Sequence, residues 1–503
     1  MIMGNNMETQ DCQRSIGDGM LNASFGGQSW ERVSTGIDGL DSLIEGGFPK
    51  GSLILLAGNP GTGKTVFGAA FLRKGAEIFD ENGIYVSFAE NKDTFIHNIS
   101  RHLGFDCERL FTNGKITFLD FATMKEEGIS NVLETILTEV KRSKTKRLVI
   151  DSFSAMAQAF EKTIDSRIVL HTVIGKIMRE SGCTTVLIVE VPFGEKRLGL
   201  GIEEFVTDRV IELKRNRLDG RQFRQMEIMK LRGTLVSESR IPFTLYGGLK
   251  AFPPFKEMSI PTPARFEPLQ DTEKTFSTGI EDLDRILGGY NRGSTILLEI
   301  GENVSVPQYT LFLAPAMWNF IANARMRVSI PSSGVDYKLL KSNAELAGFS
   351  EEDFKRFNRI CVFGSLKTPQ ESNVVEFEGK NIEEDYQKLL RLVKELMDET
   401  GQPVIHSTGV DTLIAVYGKD SVERILNLSA TKVREDGNLN ILILKSGYAH
   451  LTPMLGSLVD FHLRIVRRRG SLIFYGVKPR TGLYVTEVGI SKGYPLPKIT
   501  PIL

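Results

Sequence analysis

Gly58-Asn59-Pro60-Gly61-Thr62-Gly63-Lys64-Thr65 is the stretch from which the rest of the chain can be read. It fills every fixed position of G-x-x-x-x-G-K-[ST], a glycine-rich loop whose backbone N–H groups cradle phosphates. The context agrees: an apolar run from Ser52 to Ala57 precedes it and a helical pattern opens at Lys64. Phosphate charge is favoured where N–H groups converge at a helix N-terminus. Gly61 and Gly63 let the loop close without a Cβ clash, Lys64 is expected to reach the β- and γ-phosphates, and the Thr65 hydroxyl to ligate Mg²⁺. Residues Gly58 to Thr65 are therefore the candidate ATP-binding set, with ATP and Mg²⁺ as the implied ligands.

Around this loop, short apolar runs alternate with helical patterns. Candidate strands lie at Gly83–Phe88, Ile116–Asp120, Arg147–Ile150 and Thr185–Glu190, with helices near Asp93–Leu103, Ser130–Arg142 and Ser166–Glu180. Near-continuous Val, Ile and Leu in the strands predicts an α/β fold, a mainly parallel central sheet covered by helices. Asp151 closes one apolar strand, which puts its carboxylate at the C-terminal edge of the sheet, where it can hold the Mg²⁺ shell. Glu90 follows the Tyr85-Val-Ser-Phe strand and is the candidate acid–base residue for orienting water. The alternative reading of Glu90 is a solvated acid capping the helix ahead of Asn91.

The chain repeats itself. Ser34-Thr-Gly-Ile-Asp-Gly-Leu-Asp41 recurs as Ser277-Thr-Gly-Ile-Glu-Asp-Leu-Asp284, and each copy runs through Gly-Gly and Gly-Ser into an apolar strand. Repetition at this distance indicates duplicated domains. The second copy lacks the chemistry: Gly301-Glu-Asn-Val-Ser-Val-Pro307 stands at the loop, Pro331-Ser332-Ser333 where the acid follows its strand, and Val404-Ile405-His406 is aligned with Val149-Ile150-Asp151. The expected division is residues 1–29 as a flexible tail, 30–250 as an active domain, 251–274 as a Pro-rich linker and 275–503 as a degenerate domain. His406 and His450 have no metal-like spacing and read as core or surface residues.

Composition narrows the function classes. Lys plus Arg and Asp plus Glu are each 62, so no global charge draws the chain to nucleic acid or an anionic surface. The 4 cysteines form no C-x-x-C pair, which suggests neither zinc nor a disulfide framework and points to a cytoplasmic setting. The greasiest stretch, Tyr309 to Ala324, contains Pro315 and Asn319, so no membrane span is expected. Ile211–Arg217 and Gln222–Leu231 flank Leu218-Asp-Gly220, a hairpin signal. Lys230 and Arg232, two apart, are expected on one face of its second strand. The hairpin is also basic (Lys214, Arg215, Arg217, Arg221, Arg224), as is its counterpart (Arg464, Arg467, Arg468, Arg469), but only Phe223, Phe474 and Tyr475 are available there for stacking. That argues against nucleic acid as the partner.

Taken together, the Ser-Thr-Gly-Ile-Asp opening, the phosphate loop, Val149-Ile-Asp-Ser152, Gly201-Ile-Glu-Glu-Phe205 and Lys230-Leu-Arg-Gly-Thr234 resemble the KaiC-like branch of RecA-fold ATPases, strongly over 30–250 and weakly over 275–490. The resemblance implies tandem RecA-like domains, Mg²⁺-dependent ATP hydrolysis in the first, and a homohexameric ring. It also implies a cationic finger, Lys230 and Arg232, serving the γ-phosphate of the neighbouring protomer. Two adjacent glutamates are common after the second strand in that family; here they read Ala89-Glu90, which implies slow turnover or a nucleotide sensor without turnover. The self-phosphorylated Ser-Thr pair known from the family corresponds to Glu203-Glu204-Phe205, so autokinase chemistry is not expected. A regulatory or signalling output through an unknown protein partner follows, with a DNA-recombination accessory ATPase as the rival.

Overall fold

The computed structural model describes residues 31–103, 108–121, 129–158, 175, 181–192, 194, 207, 209–364 and 371–503, and the statements below concern these. The tail, most of the 166–180 helical pattern and the 201–205 motif lie outside them. Two large sheets carry the chain. The first has nine strands in the order Lys250–Ala251, Arg240–Thr244, Arg221–Leu231, Arg209–Leu218, Leu53–Gly58, Thr184–Glu190, Arg147–Asp151, Gly83–Ser87 and Ile116–Asp120. The strands from Arg209 to Ile116 in that order are parallel, and the other three add on antiparallel. The second sheet has ten strands and repeats the plan around Thr295–Ile300. In both domains the central strands are buried throughout and mostly apolar, so the alternation of a half-exposed strand is absent; the charged exception in the second is Glu299, which pairs with His462 and Arg464.

The eight-residue repeat proves to be a folding device. Asp41 accepts hydrogen bonds from Ser34 Oγ (2.6 Å), Thr35 N (2.9 Å) and Thr35 Oγ1 (2.6 Å), and Asp284 does the same for Ser277 Oγ (2.5 Å) and Thr278 N (2.8 Å). The glycine between them has φ of +75° in one copy and +74° in the other, and a Cβ there would lie 2.5 Å from Ala70 O or 2.2 Å from Pro315 O. Only glycine fits such a contact.

The first domain buries a charge in its core. Arg147 is 1% exposed; its Nε donates to Glu81 at 2.6 Å and its Nη1 to the carbonyls of Ser34 and Phe71 at 2.8 Å. Burial lowers the pKa of this guanidinium and the Glu81 carboxylate opposes that. Removing one partner of a buried pair leaves the rest uncompensated. Arg147→Met is expected to destabilise the first domain by roughly 3 kcal/mol, seen as a lower denaturation midpoint for its transition; an unchanged midpoint would show that the pair is dispensable.

Residues 253–271 form neither helix nor strand, as the prolines require, but they are packed. Phe255 N, Ala264 N and Phe266 N each donate at 2.9 Å to carbonyls of the second domain, and Phe266 is buried against Trp318 and Tyr494. The apolar stretch at 309–324 is a continuous helix, Val306–Ala322, running through Pro315 and Asn319. No helix among the described residues is long and apolar enough to cross a membrane.

Candidate active site in the first domain

Parallel strands bring their C-terminal ends to one edge, and Gly58, Asp151, Ser87 and Glu190 all end strands there. Gly61 and Gly63 are left-handed, with φ of +74° and +105°. A Cβ on Gly58 would fall 2.6 Å from Leu213 O. The helix Lys64–Ile78 starts with Gly63 and no side chain caps it, so its first N–H groups face the loop. This is a cradle that side chains would fill, with the donors a phosphate needs.

Lys64 is buried and donates to Gly58 O at 2.8 Å and Asn59 O at 3.0 Å. Burial lowers its pKa, while Glu190 and Asp151 act in the opposite sense. Thr65 Oγ1 donates to Asp151 Oδ2 at 2.7 Å, so the two candidate metal ligands meet directly. A hydroxyl and a carboxylate are hard oxygen donors of the kind Mg²⁺ takes. Asn59 Nδ2 binds Val191 O at 2.8 Å, and Thr62 Oγ1 binds Asn59 O at 2.8 Å, which fixes the loop around Pro60.

Glu90 is set by the turn after its strand: Ser87 Oγ donates to its carbonyl at 2.6 Å and Asn98 Nδ2 to its carboxylate at 3.1 Å. The helix cap here is Asn91, whose Oδ1 accepts from Thr94 N at 2.9 Å, so the capping reading of Glu90 is replaced. Desolvation raises the Glu90 pKa; the Asn98 bond lowers it and the nearby Asp151 raises it further.

Three site residues were missed from sequence. Tyr85, fully buried in its strand, donates to Asp151 Oδ2 at 2.5 Å. Glu190 ends the strand beside the loop in register with Gly58. Arg224 reaches Gly61 O at 3.3 Å, Thr62 O at 3.2 Å and Leu503 O at 2.5 Å, tying the loop to the last residues of the second domain. The Asp-terminated strand and the Tyr-bearing strand are each visible in sequence; their pairing and Arg224's reach across domains are not.

The finger residues are not on one strand face. The strand ends at Leu231 and bulges between Ile228 and Lys230, so Arg232 lies in the turn beyond. Lys230 pairs with Val210, itself beside Leu55, three residues before Gly58. That sets Lys230 about 10 Å back along the sheet from its own loop. Its Nζ donates to Thr207 O at 2.8 Å, and Lys478 in the second domain copies this with Val459 O at 2.6 Å. Of the basic hairpin residues, Arg221 and Arg224 are buried and Lys214 pairs with Glu212 and Glu227, leaving Arg215 and Arg217 exposed. Phe223, Phe474 and Tyr475 are core residues, so they offer no stacking face.

The second domain corrects one alignment. His406 is the second residue of its strand, level with Val328 and Asn440, and the strand's last residue, at the place of Asp151, is Gly409. Sliding by a few residues among similar apolar runs caused the error. Burial pushes the His406 pKa down to about 4, so it is neutral. The loop Gly301–Ser305 enters a helix beginning Val306-Pro307, and the Gln308 side chain accepts from Ser305 N at 3.0 Å. One N–H is absent at proline and another is occupied, which removes the phosphate cradle.

Residues 33–250 match the family model described as the KaiC ATPase, and residues 265–354 match GvpD basic region 2. Residues 33–250 form a KaiC-like domain of the RecA superfamily. The circadian clock oscillator protein KaiC of Parasynechococcus marenigrum (strain WH8102) is 33% identical over 282 residues, 54% of this chain and 53% of that protein. The KaiC of Synechococcus elongatus is 31% identical over 346 residues, 67% of this chain and 64% of the relative. The match to the first of these relatives thus spans about half its length. A solved KaiC-like protein from Pyrococcus horikoshii OT3 is 38% identical, covers 45% of this chain and all of its own, with a TM-score of 0.40. The two sheets give tandem RecA-like α/β domains, and the first lies within the residues matched by the KaiC ATPase model.

Proposed function

We propose that the first domain binds Mg²⁺-ATP and hydrolyses it slowly within a ring of identical subunits, hexameric as in the family, in the cytoplasm, and that the second domain relays the nucleotide state to a protein partner. The observation carrying this reading is the convergence of Lys64, Thr65, Asp151 and Glu90 at one sheet edge beside an open phosphate cradle. Gly58 to Thr65 would hold the triphosphate, with Lys64 exchanging its two carbonyl partners for phosphate oxygens. Thr65 and Asp151 would hold Mg²⁺, which supplies charge neutralisation on the phosphates. Tyr85 keeps the Asp151 carboxylate aimed, and Glu90 orients the attacking water and takes its proton. The Arg224 bridge from loop to Leu503 supports a link between nucleotide and second domain.

Glu90 must be ionised to act as a base. With its pKa raised, the fraction ionised falls at a higher pH than for an ordinary carboxylate, so turnover is expected to decline on acidification above pH 4.5. Glu90→Gln is expected to lose about 10²–10⁴ in phosphate release and this acid limb, with ATP affinity kept. A variant as active as the parent would remove Glu90 from the mechanism. The Asn98 bond and Ala89 favour a second reading, a nucleotide sensor without turnover, which a parent rate no faster than that of Lys64→Ala would establish. Mass in solution with and without Mg²⁺-ATP tests the ring: a nucleotide-dependent oligomer supports it and a persistent monomer rejects it.

A further inference from the structure

An ionised guanidinium inside a protein needs a carboxylate or several carbonyls in place of water. Arg147 has both, whereas the second domain places another guanidinium in the matching layer of its sheet without either. Arg327, 8% exposed, opens the strand Arg327–Ile330 and pairs with Ile405 as Gly83 pairs with Arg147. Its Nη2 reaches only two hydroxyls, Ser407 Oγ at 3.2 Å and Ser329 Oγ at 3.4 Å. Its Nε has no partner, and among the described residues no carboxylate pairs with it. Burial lowers its pKa to about 10, which leaves it charged at neutral pH.

Arg327 lines a cavity under the helix Val306–Ala322 in which two further polar groups are unused. The Tyr309 hydroxyl and Ser332 Oγ, on residues 2% and 3% exposed, have no hydrogen-bond partner. Leu313, Met317, Trp318 and Leu340 supply apolar wall. The acid acting on Tyr309, Asp411, accepts from Ser333 N at 3.0 Å and lies 3.6 Å from Lys445 Nζ through one oxygen, while its other oxygen has no partner. The inventory is one uncompensated positive charge, orphan hydroxyls and a greasy wall.

We propose that this cavity binds a small monocarboxylate with an apolar body, its carboxylate against Arg327 and the hydroxyls of Tyr309 and Ser332. One negative charge balances the site, whereas a phosphate dianion would leave a buried excess. The degenerate domain is then a metabolite-sensing module, distinct from the nucleotide loop of the first.

Titration calorimetry on the full chain tests this with butyrate and phenylacetate, their amides, and phosphate. Saturable binding of either acid, none of the amides, and a loss of at least about 30-fold in Arg327→Met are expected. Ligand-free Arg327→Met is expected to be no less stable than the parent, because an uncompensated charge is removed. Should that variant not fold, Tyr309→Phe repeats the comparison with about tenfold weaker binding expected. No binding of either acid, equal binding of acid and amide, preference for phosphate, or undiminished binding in the variant that folds would each overturn the proposal.

Discussion

Lys64→Ala is expected to abolish nucleotide-dependent phosphate release and to weaken ATP binding by about 100-fold, the loss of two charge-assisted hydrogen bonds of about 1.5 kcal/mol each. Lys64 is the one cation buried in the loop, and its two carbonyl partners, Gly58 O and Asn59 O, are what phosphate oxygens would replace. The opposing influence of Glu190 and Asp151 on its pKa favours keeping it charged in a buried setting. Removing it leaves the glycines and the helix start intact, so the fold should survive, as circular dichroism would check. Titration with a fluorescent ATP analogue and a phosphate-release assay measure the effect. Turnover persisting in Lys64→Ala would mean that hydrolysis occurs elsewhere or belongs to a contaminant.

Lys230→Ala combined with Arg232→Ala is expected to lower turnover by about 10³–10⁵ while leaving ATP affinity within a few-fold, as for an arginine finger supplied by a neighbour. The expectation rests on register. Lys230 lies beside Val210 and Leu55, back from Gly58 along the sheet, and Arg232 is beyond the strand end, so neither is positioned for its own loop. Mixing gives the decisive form of the test. Subunits with Lys64→Ala have intact fingers and dead loops, and subunits lacking Lys230 and Arg232 have the reverse, so mixed rings should regain activity that neither has alone. No gain on mixing, with mixed assemblies verified by mass, would confine these residues to the structural role seen in the Lys230–Thr207 bond.

Local chemistry was legible and long-range register was not. The phosphate loop, Asp151 and the hairpin turn are each written in consecutive residues; Asp219 and Gly220 indeed take φ of +49° and +69°, as a two-residue hairpin turn needs. The buried strands carry so little polar punctuation that their alignment can slip, and His406 was set against Asp151 when the strand pairing puts Gly409 there. The strand's end at Leu231 is equally silent in sequence, and it leaves Arg232 in the turn rather than on the face that simple alternation assigns. Tyr85 carries no sequence signal beyond its place in a strand, and the fold brings its hydroxyl to Asp151. Arg224 read as one of a basic cluster, yet it is buried between the loop and the second domain. The duplicated Ser-Thr-Gly motif shows the converse: a conspicuous pattern that serves a turn and a close backbone contact.

The number of ATP molecules held per chain tests the account most directly. Equilibrium dialysis or native mass spectrometry at saturating Mg²⁺-ATP should give one per chain, falling to none in Lys64→Ala. Two per chain, or one that survives Lys64→Ala, would contradict it, because the loop at Gly301–Ser305 would then be a working nucleotide site.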